Sequence, residues 1–282
     1  MAVQALTGAG NVTYGSASSA NAVVINKPAN VADGDLLIAV LRFQNSAKTI
    51  VTPAGWTSII AQATNWSAAV FYKAIPSAAG ESATSYSFNV DSGSARWVGM
   101  IFRVTGAATS SIIDQTGAWS AATGTASTIA PAVTPTKTGG LLLDILVSNI
   151  AQTGGTGVAF TPPSGMTAVG TGLVDNGSQT SQVWAGQEAI GSTASTGTRT
   201  VAFSPPAANS QSVLIAINPG NTPPNLSLTG NQNVSAGASV SATATATDDG
   251  SIASYAWTVL GSSSTATPTL TGASTATVTL TA

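Results

Sequence analysis

One stretch of this sequence returns, and its return limits the possible folds more than any other feature. Gly34-Asp35-Leu36-Leu37-Ile38-Ala39-Val40-Leu41 comes back as Gly139-Gly140-Leu141-Leu142-Leu143-Asp144-Ile145-Leu146. The turn Thr52-Pro53-Ala54-Gly55-Trp56-Thr57 is echoed by Pro162-Pro163-Ser164-Gly165-Met166-Thr167. Lys73-Ala74-Ile75 is echoed by Glu188-Ala189-Ile190, Tyr86-Ser87-Phe88 by Val201-Ala202-Phe203, and Val98–Phe102 by Val213–Ile217. The offset is 105 from Leu36 to Leu141 and 110 from Gly55 to Gly165. It is 115 from Ile75 to Ile190, Phe88 to Phe203 and Phe102 to Ile217. Residues 20–110 and 127–219 therefore read as one supersecondary unit used twice.

The unit is built of strands. No ten-residue stretch holds a helical period free of Gly, Pro or β-branched clusters, whereas short strand signals recur at the spacing of sandwiches and barrels. In the first copy they fall at 22–25, 36–43, 57–61, 68–75, 85–90 and 97–104. In the second they fall at 127–132, 141–148, 167–170, 182–190, 199–203 and 212–218. Alternation predicts that Val98, Met100, Phe102 and Val104 are buried, with Val213, Ile215 and Ile217, while Arg103, Ser212 and Asn218 face outward. The strand from Leu36 is apolar on both faces and reads as central, covered on both sides.

Beyond Asn218-Pro219-Gly220-Asn221-Thr222-Pro223-Pro224 the composition changes, and 220–224 reads as a linker. Ser239–Thr247 and Thr275–Ala282 alternate strictly, which calls for one wet and one dry face. Asp248-Asp249-Gly250 marks a tight turn, and Tyr255, Trp257 and Val259 share one face of the strand expected at 254–260. The expected organisation is a domain over 1–219, the linker, and a second domain over 225–282. That second piece is short for a seven-stranded sandwich, and Thr275–Ala282 reads as an open edge of the kind natural proteins avoid. The expectation is that the polypeptide continues beyond it, or that another chain supplies a strand.

Charge bounds the partners. Eight Lys and Arg stand against ten Asp and Glu, with no His and no Cys, and the charged fraction is 6%. About 25% is usual. No basic stripe is available for nucleic acid, and little holds the chain to an anionic membrane. Low net charge favours association, so a protein packed in an assembly tolerates this composition; compositional drift in a GC-rich genome is the other reading. The N-terminus lacks the basic and apolar regions of a signal peptide, and no apolar run reaches the ~20 residues a transmembrane helix needs.

The C-terminal piece resembles the PKD-type immunoglobulin-like domain through Thr222-Pro223-Pro224, Gly237, Ala246-Thr247-Asp248-Asp249-Gly250-Ser251-Ile252 and Tyr255-Ala256-Trp257. The first 220 residues resemble a two-part β-sandwich repeat of bacteriophage structural proteins and some bacterial surface proteins. The resemblance is carried by Gly34-Asp35-Leu36-Leu37, Thr52–Thr57, Phe71-Tyr72-Lys73-Ala74 and Arg96-Trp97. Together these imply an all-β chain: a duplicated jelly-roll-like sandwich followed by an immunoglobulin-like sandwich. They imply a virion structural protein, of the phage minor tail class. On this reading it is assembled in the host cytoplasm, docked through its N-terminal sandwich, and contacts the host through a projecting immunoglobulin-like module. The implied partners are other virion proteins, further copies of the chain and a host-surface glycan. A carbohydrate-binding or adhesive module of a bacterial surface protein is the alternative, and a capsid decoration or head-fibre protein a second.

Candidate chemistry is sparse. Without His or Cys, catalytic triads and His- or thiolate-based metal sites have no ligands, and no cofactor or catalytic activity is expected. The carboxylates Glu81 and Glu188 fall in a loop and in a strand of different copies, so nothing brings them together. Asp33 and Asp35, and more so Asp248 and Asp249, offer oxygen ligands for calcium, with a plain Asx turn as the competing reading. Trp56 and Trp257 read as core. Trp66, Trp97, Trp119 and Trp184 are interface candidates, for a neighbouring subunit or a sugar.

Overall fold

The computed structural model describes residues 3–44, 48–62, 67–150, 157–175, 180–221, 225–229, 238–247, 252, 254–258 and 269–281. Among them are antiparallel strands and no helix. The chain divides into two compact units, Met1–Gly220 and Asn221–Ala282.

The first half of the larger unit contains β1 (Gln4–Ala5), β2 (Val12–Ala20), β3 (Ala22–Asn26), β4 (Asp35–Gln44), β5 (Ile50–Val51), β6 (Thr57–Gln62), β7 (Ser67–Ile75), β8 (Ser85–Val90) and β9 (Ala95–Thr105). The second contains β10 (Ile113–Thr116), β11 (Ser120–Ala130), β12 (Leu141–Ile150), β13 (Ala159–Thr161), β14 (Thr167–Asp175), β15 (Thr180–Ala189) and β16 (Arg199–Ile217). One sheet runs β1-β9-β4-β7-β6, with β2 also on β9, and a small sheet runs β3-β8-β5. The second half runs β10-β16-β12-β15-β14, with β11 and β13 also on β16. β16 is continuous where the first half has two strands. Its opening residues pair with β11 and β13 as β8 does with β3 and β5. Its later residues pair with β10, β11 and β12 as β9 does with β1, β2 and β4.

The register corrects the sequence offset. Gly34 N donates to Ile75 O and Gly139 N to Ile190 O, so 115 holds at β7 and β15. Val104, however, stands opposite Leu36, and Ile217 opposite Leu141. Phe102 therefore corresponds to Ile215 rather than Ile217, and Phe88 to Val201 rather than Phe203. A two-residue slip preserves the alternation of sides, which is why the echo in sequence could settle one pleat away.

Side-chain parity shows how the layers stack. Leu36, Ile38, Val40, Met100 and Phe102 from the first half share one buried cluster with Leu143, Ile145, Val213 and Ile215 from the second. The two large sheets thus face each other across a common core. The opposite face of β4, through Leu37, Ala39 and Leu41, packs with Ile101 against Val23, Ile25 and Phe88 of the small sheet. In the second half Leu142 and Leu146 pack the same way against Ala130, Val201 and Phe203. β4 and β12 are hence covered on both sides.

So are β9 and β16, and here the outward assignment was wrong. Arg103, Ser212 and Asn218 are all buried. The strict alternation of Val98 to Val104 marked one dry face, but the small sheet in the first half, and β11, β13 and the opening of β16 in the second, dry the other as well. Several strands lay outside the sequence expectation. β2 opens with the β-formers Val12, Thr13 and Tyr14 but continues in Gly, Ser and Ala, which carry little β propensity, and β1, β5, β10 and β13 are two to four residues long.

Among its described residues the smaller unit forms one sheet, β17 (Asn225–Leu228), β18 (Ser239–Thr247), β19 (Thr269–Thr271) and β20 (Thr277–Thr281), in the order β17-β18-β20-β19. The strand expected at 254–260 is absent over 254–258. β20 is not an open edge. The chain turns at Gly272, with φ +81°, so that β19 covers one side of β20 while β18 covers the other.

Two outcomes follow from the common core. Met100→Asp, at a fully buried position, should abolish soluble folded protein, because an uncompensated carboxylate there costs at least several kcal/mol; a melting curve matching wild type would place the residue outside the core. The two halves join between Thr105 and Ile113 rather than near Gly124, which lies inside β11. Residues 1–109 and 110–220 expressed separately should each aggregate, and co-expression should return them as one soluble complex in size-exclusion chromatography.

Candidate functional site

The nominated residues do not converge. Trp97 is fully buried against Phe43, with ring centroids 5.0 Å apart, and its indole N–H donates to Ala20 O at 3.0 Å. Trp184 is equally buried and stacks near Phe160. Both are corrections to the interface assignment, with one cause: each lies on the second dry face of a central sheet. Trp119 is half-buried against the common core. Trp66, Asp248 and Asp249 lie outside the described residues. Trp56 is a core residue, edge-on to Tyr86 and Phe88. Trp257 is half-buried outside any strand, its indole N–H bonded to Thr275 O at 2.8 Å.

Asp33 and Asp35 act as backbone acceptors. Asp33 Oδ1 accepts from Ala78 N and Asp35 Oδ2 from Ala32 N, each at 2.6 Å. Asp35 also receives the guanidinium of Arg103 at 2.7 Å, and Arg103 reaches on to Asn11 Oδ1 at 2.7 Å. Arg103 stands opposite Leu37, diagonal to Asp35 on the same face, so the pair closes the end of the inner core. Sequence alternation marked Arg103 as exposed; only the covering small sheet makes this an inner ion pair. Among the described residues no three His, Cys, Asp or Glu are grouped to hold a metal.

Glu81 and Glu188 belong to separate ion pairs. Lys73 meets Glu81 at 3.1 Å, and Arg199 meets Glu188 at 2.7 Å. Lys73 stands opposite Leu37 and Glu188 opposite Leu142, so the two halves place opposite charges at matching positions. Each charge sits beneath a turn glycine of positive φ, Gly55 or Gly165, where a Cβ would lie 2.9 Å from Lys73 Nζ or 3.2 Å from Glu188 Oε1. Two clefts of about 200 Å³ open at these ends, one lined by Leu142, Glu188, Ile190 and Arg199, the other by Asp35, Leu36, Ile75 and Pro76. In the cleft beside it, the guanidinium of Arg199 is already bonded to Glu188 and Thr196 O. Arg42, on the common-core face, is buried, and burial together with the nearby Arg96 charge pulls its pKa down to about 9.

The most regular exposed feature is in the smaller unit. Ser239 and Thr281 hydroxyls are 2.9 Å apart, Ser241 and Thr279 3.2 Å, and Thr243 and Thr277 3.3 Å. Thr269 and Thr271 extend the first two rows across β19. Cross-strand hydroxyl pairs of this kind stabilise a sheet by roughly 0.2–1 kcal/mol each. No charged residue occurs in these four strands. The other face carries Val240, Ala242, Ala244, Val278 and Leu280, of which Ala244 and Val278 are buried. Compared with protein-family models, curated proteins and solved structures, the chain matches none.

Arg103→Ser should lower unfolding stability by about 3–5 kcal/mol, because it leaves Asp35 buried without its cation. Chemical denaturation is the measure. A loss below 1 kcal/mol would mean that the pair is solvated.

Proposed function

We propose that this chain is a non-enzymatic structural protein of a bacteriophage virion, of the minor tail class. On this reading the larger unit is one jelly-roll-like sandwich used twice, docked on other virion proteins or on further copies of the chain. The smaller unit is an immunoglobulin-like module of PKD type that contacts the host surface. The observation that carries the reading is the character of the exposed sheet faces, which are neutral and rich in hydroxyl groups. Val24 and Ile129 are exposed at matching positions in β3 and β11, with Val51 exposed in β5. Covering such faces takes no charge out of water, and their hydroxyls can exchange water for hydrogen bonds to a neighbouring chain. The matching strand order of the two halves, from β1 to β9 and from β10 to β16, supports the duplicated unit.

The hydroxyl rows of β18, β19 and β20 support a second reading, an adhesive module for a neutral glycan. Quantitative mass spectrometry of purified particles separates the two. The virion reading expects the chain at fixed stoichiometry in particles and no turnover of any glycan by the isolated protein. Absence from particles, with tight binding of the isolated protein to a cell-wall polysaccharide, would select the adhesive module.

A further inference from the structure

The two halves differ at one interior position in a way that packing does not require. Asp144 lies in the middle of β12, with no exposed surface, on the side that faces β11 and the start of β16. Its Oδ1 accepts the Ser212 hydroxyl at 2.5 Å, and its Oδ2 has no hydrogen-bond partner. By register, Asp144 matches Ala39 and Ser212 matches Gly99, since Leu41 faces Gly99 as Leu146 faces Ser212. An Ala and Gly pair in one half is thus an acid and hydroxyl pair in the other. The cores differ accordingly. Around Ala39 the inner face forms a single apolar cluster, from Val23 to Ile101. Around Asp144 it is divided, with Leu142, Met166 and Leu214 on one side and Leu146, Trp184 and Phe203 on the other.

We propose that Asp144 is a proton-operated latch that holds the inner core of the second half closed when neutral and loosens it when ionised. A neutral carboxyl can remain between two apolar clusters, whereas an ionised one with a single hydroxyl donor lacks the partners a buried charge needs. Burial raises the Asp144 pKa to about 7, against the opposing effects of the Ser212 hydrogen bond and the Arg199 charge. The charged groups on the surrounding elements are Glu188 on β15 and Arg199 on β16, which neutralise each other. β11 and β13 carry none, and Lys137, in the segment before β12, is exposed. The folded state holds this proton more tightly than the unfolded chain does. The stabilisation is therefore complete below the ordinary carboxyl pKa of about 4 and is lost as pH rises through about 7. The proposal is independent of the virion reading, because it concerns only the interior of the second half.

The test is hydrogen exchange of the full chain, corrected for intrinsic rates, at about pH 5 and pH 7. Peptides covering 127–130, 159–161 and 199–204 should lose protection by up to about 100-fold, the tenfold per pH unit of a one-proton linkage. Their counterparts at 22–26, 50–51 and 85–90 should hold steady and serve as the internal control. Asp144→Asn should remove the difference. So should the double change Asp144→Ala with Ser212→Gly, which copies the first half and covers the case in which the amide fails to fold. Equal protection in the wild type at both pH values would overturn the latch, as would a pH response that survives in either variant.

Discussion

The common core between the two large sheets is the constraint on which the rest of the larger unit depends. Because β4 and β9 face β12 and β16 across it, the strands that meet there have one face dry before any other layer is added. The small sheet, and in the second half β11, β13 and the opening of β16, then dry the other face. Strands closed on both sides cannot carry a solvated charge. Each polar group within them must find a partner or give up its charge, since desolvation of an isolated ion outweighs any single hydrogen bond.

The buried polar groups follow that rule in different ways. Arg103 and Asp35 form an ion pair in which each is the other's counter-ion, and Asn11 takes a further guanidinium N–H. Asp144 has only a hydroxyl within reach, and burial moves its pKa toward neutrality instead. Neither couple has a counterpart in the other half, where the matching positions are Gly140 and Ala216 for the first and Ala39 and Gly99 for the second. At the rim, where water still reaches, Lys73 and Glu188 occupy matching places with reversed sign, and each finds its counter-ion elsewhere, in Glu81 and Arg199. The strand framework is thus shared while the electrostatics is solved separately in each half.

The outside of the molecule is the complement of this interior. With a charged fraction of 6%, hydroxyl and amide groups must hydrate the surface. In the smaller unit they do so in rows, from Ser239–Thr281 to Thr243–Thr277, over a face without charge. Such a face does not repel a neutral partner and can exchange hydrogen bonds with it, and this is the physical content of the assembly and glycan-contact readings.

Much of the strand framework was legible in the residues. The echo of Leu36–Leu41 in Leu141–Leu146, and the glycines at 34, 55, 139 and 165 with positive φ, mark strands and turns through local chemistry alone. The period of two assigned Val98, Met100, Phe102 and Val104 to a dry face, because alternation is a property of a single strand. What a single strand does not encode is whether its other face is covered. Trp97, Trp184 and Arg103 were therefore read as outward until the second layer placed them inside. The two-residue slip of the final strand was invisible for a related reason, since it changes partners without changing faces. Local patterning determined strands, turns and one buried side, while the stacking of four layers decided which polar groups are interior and hence which of them carry chemistry.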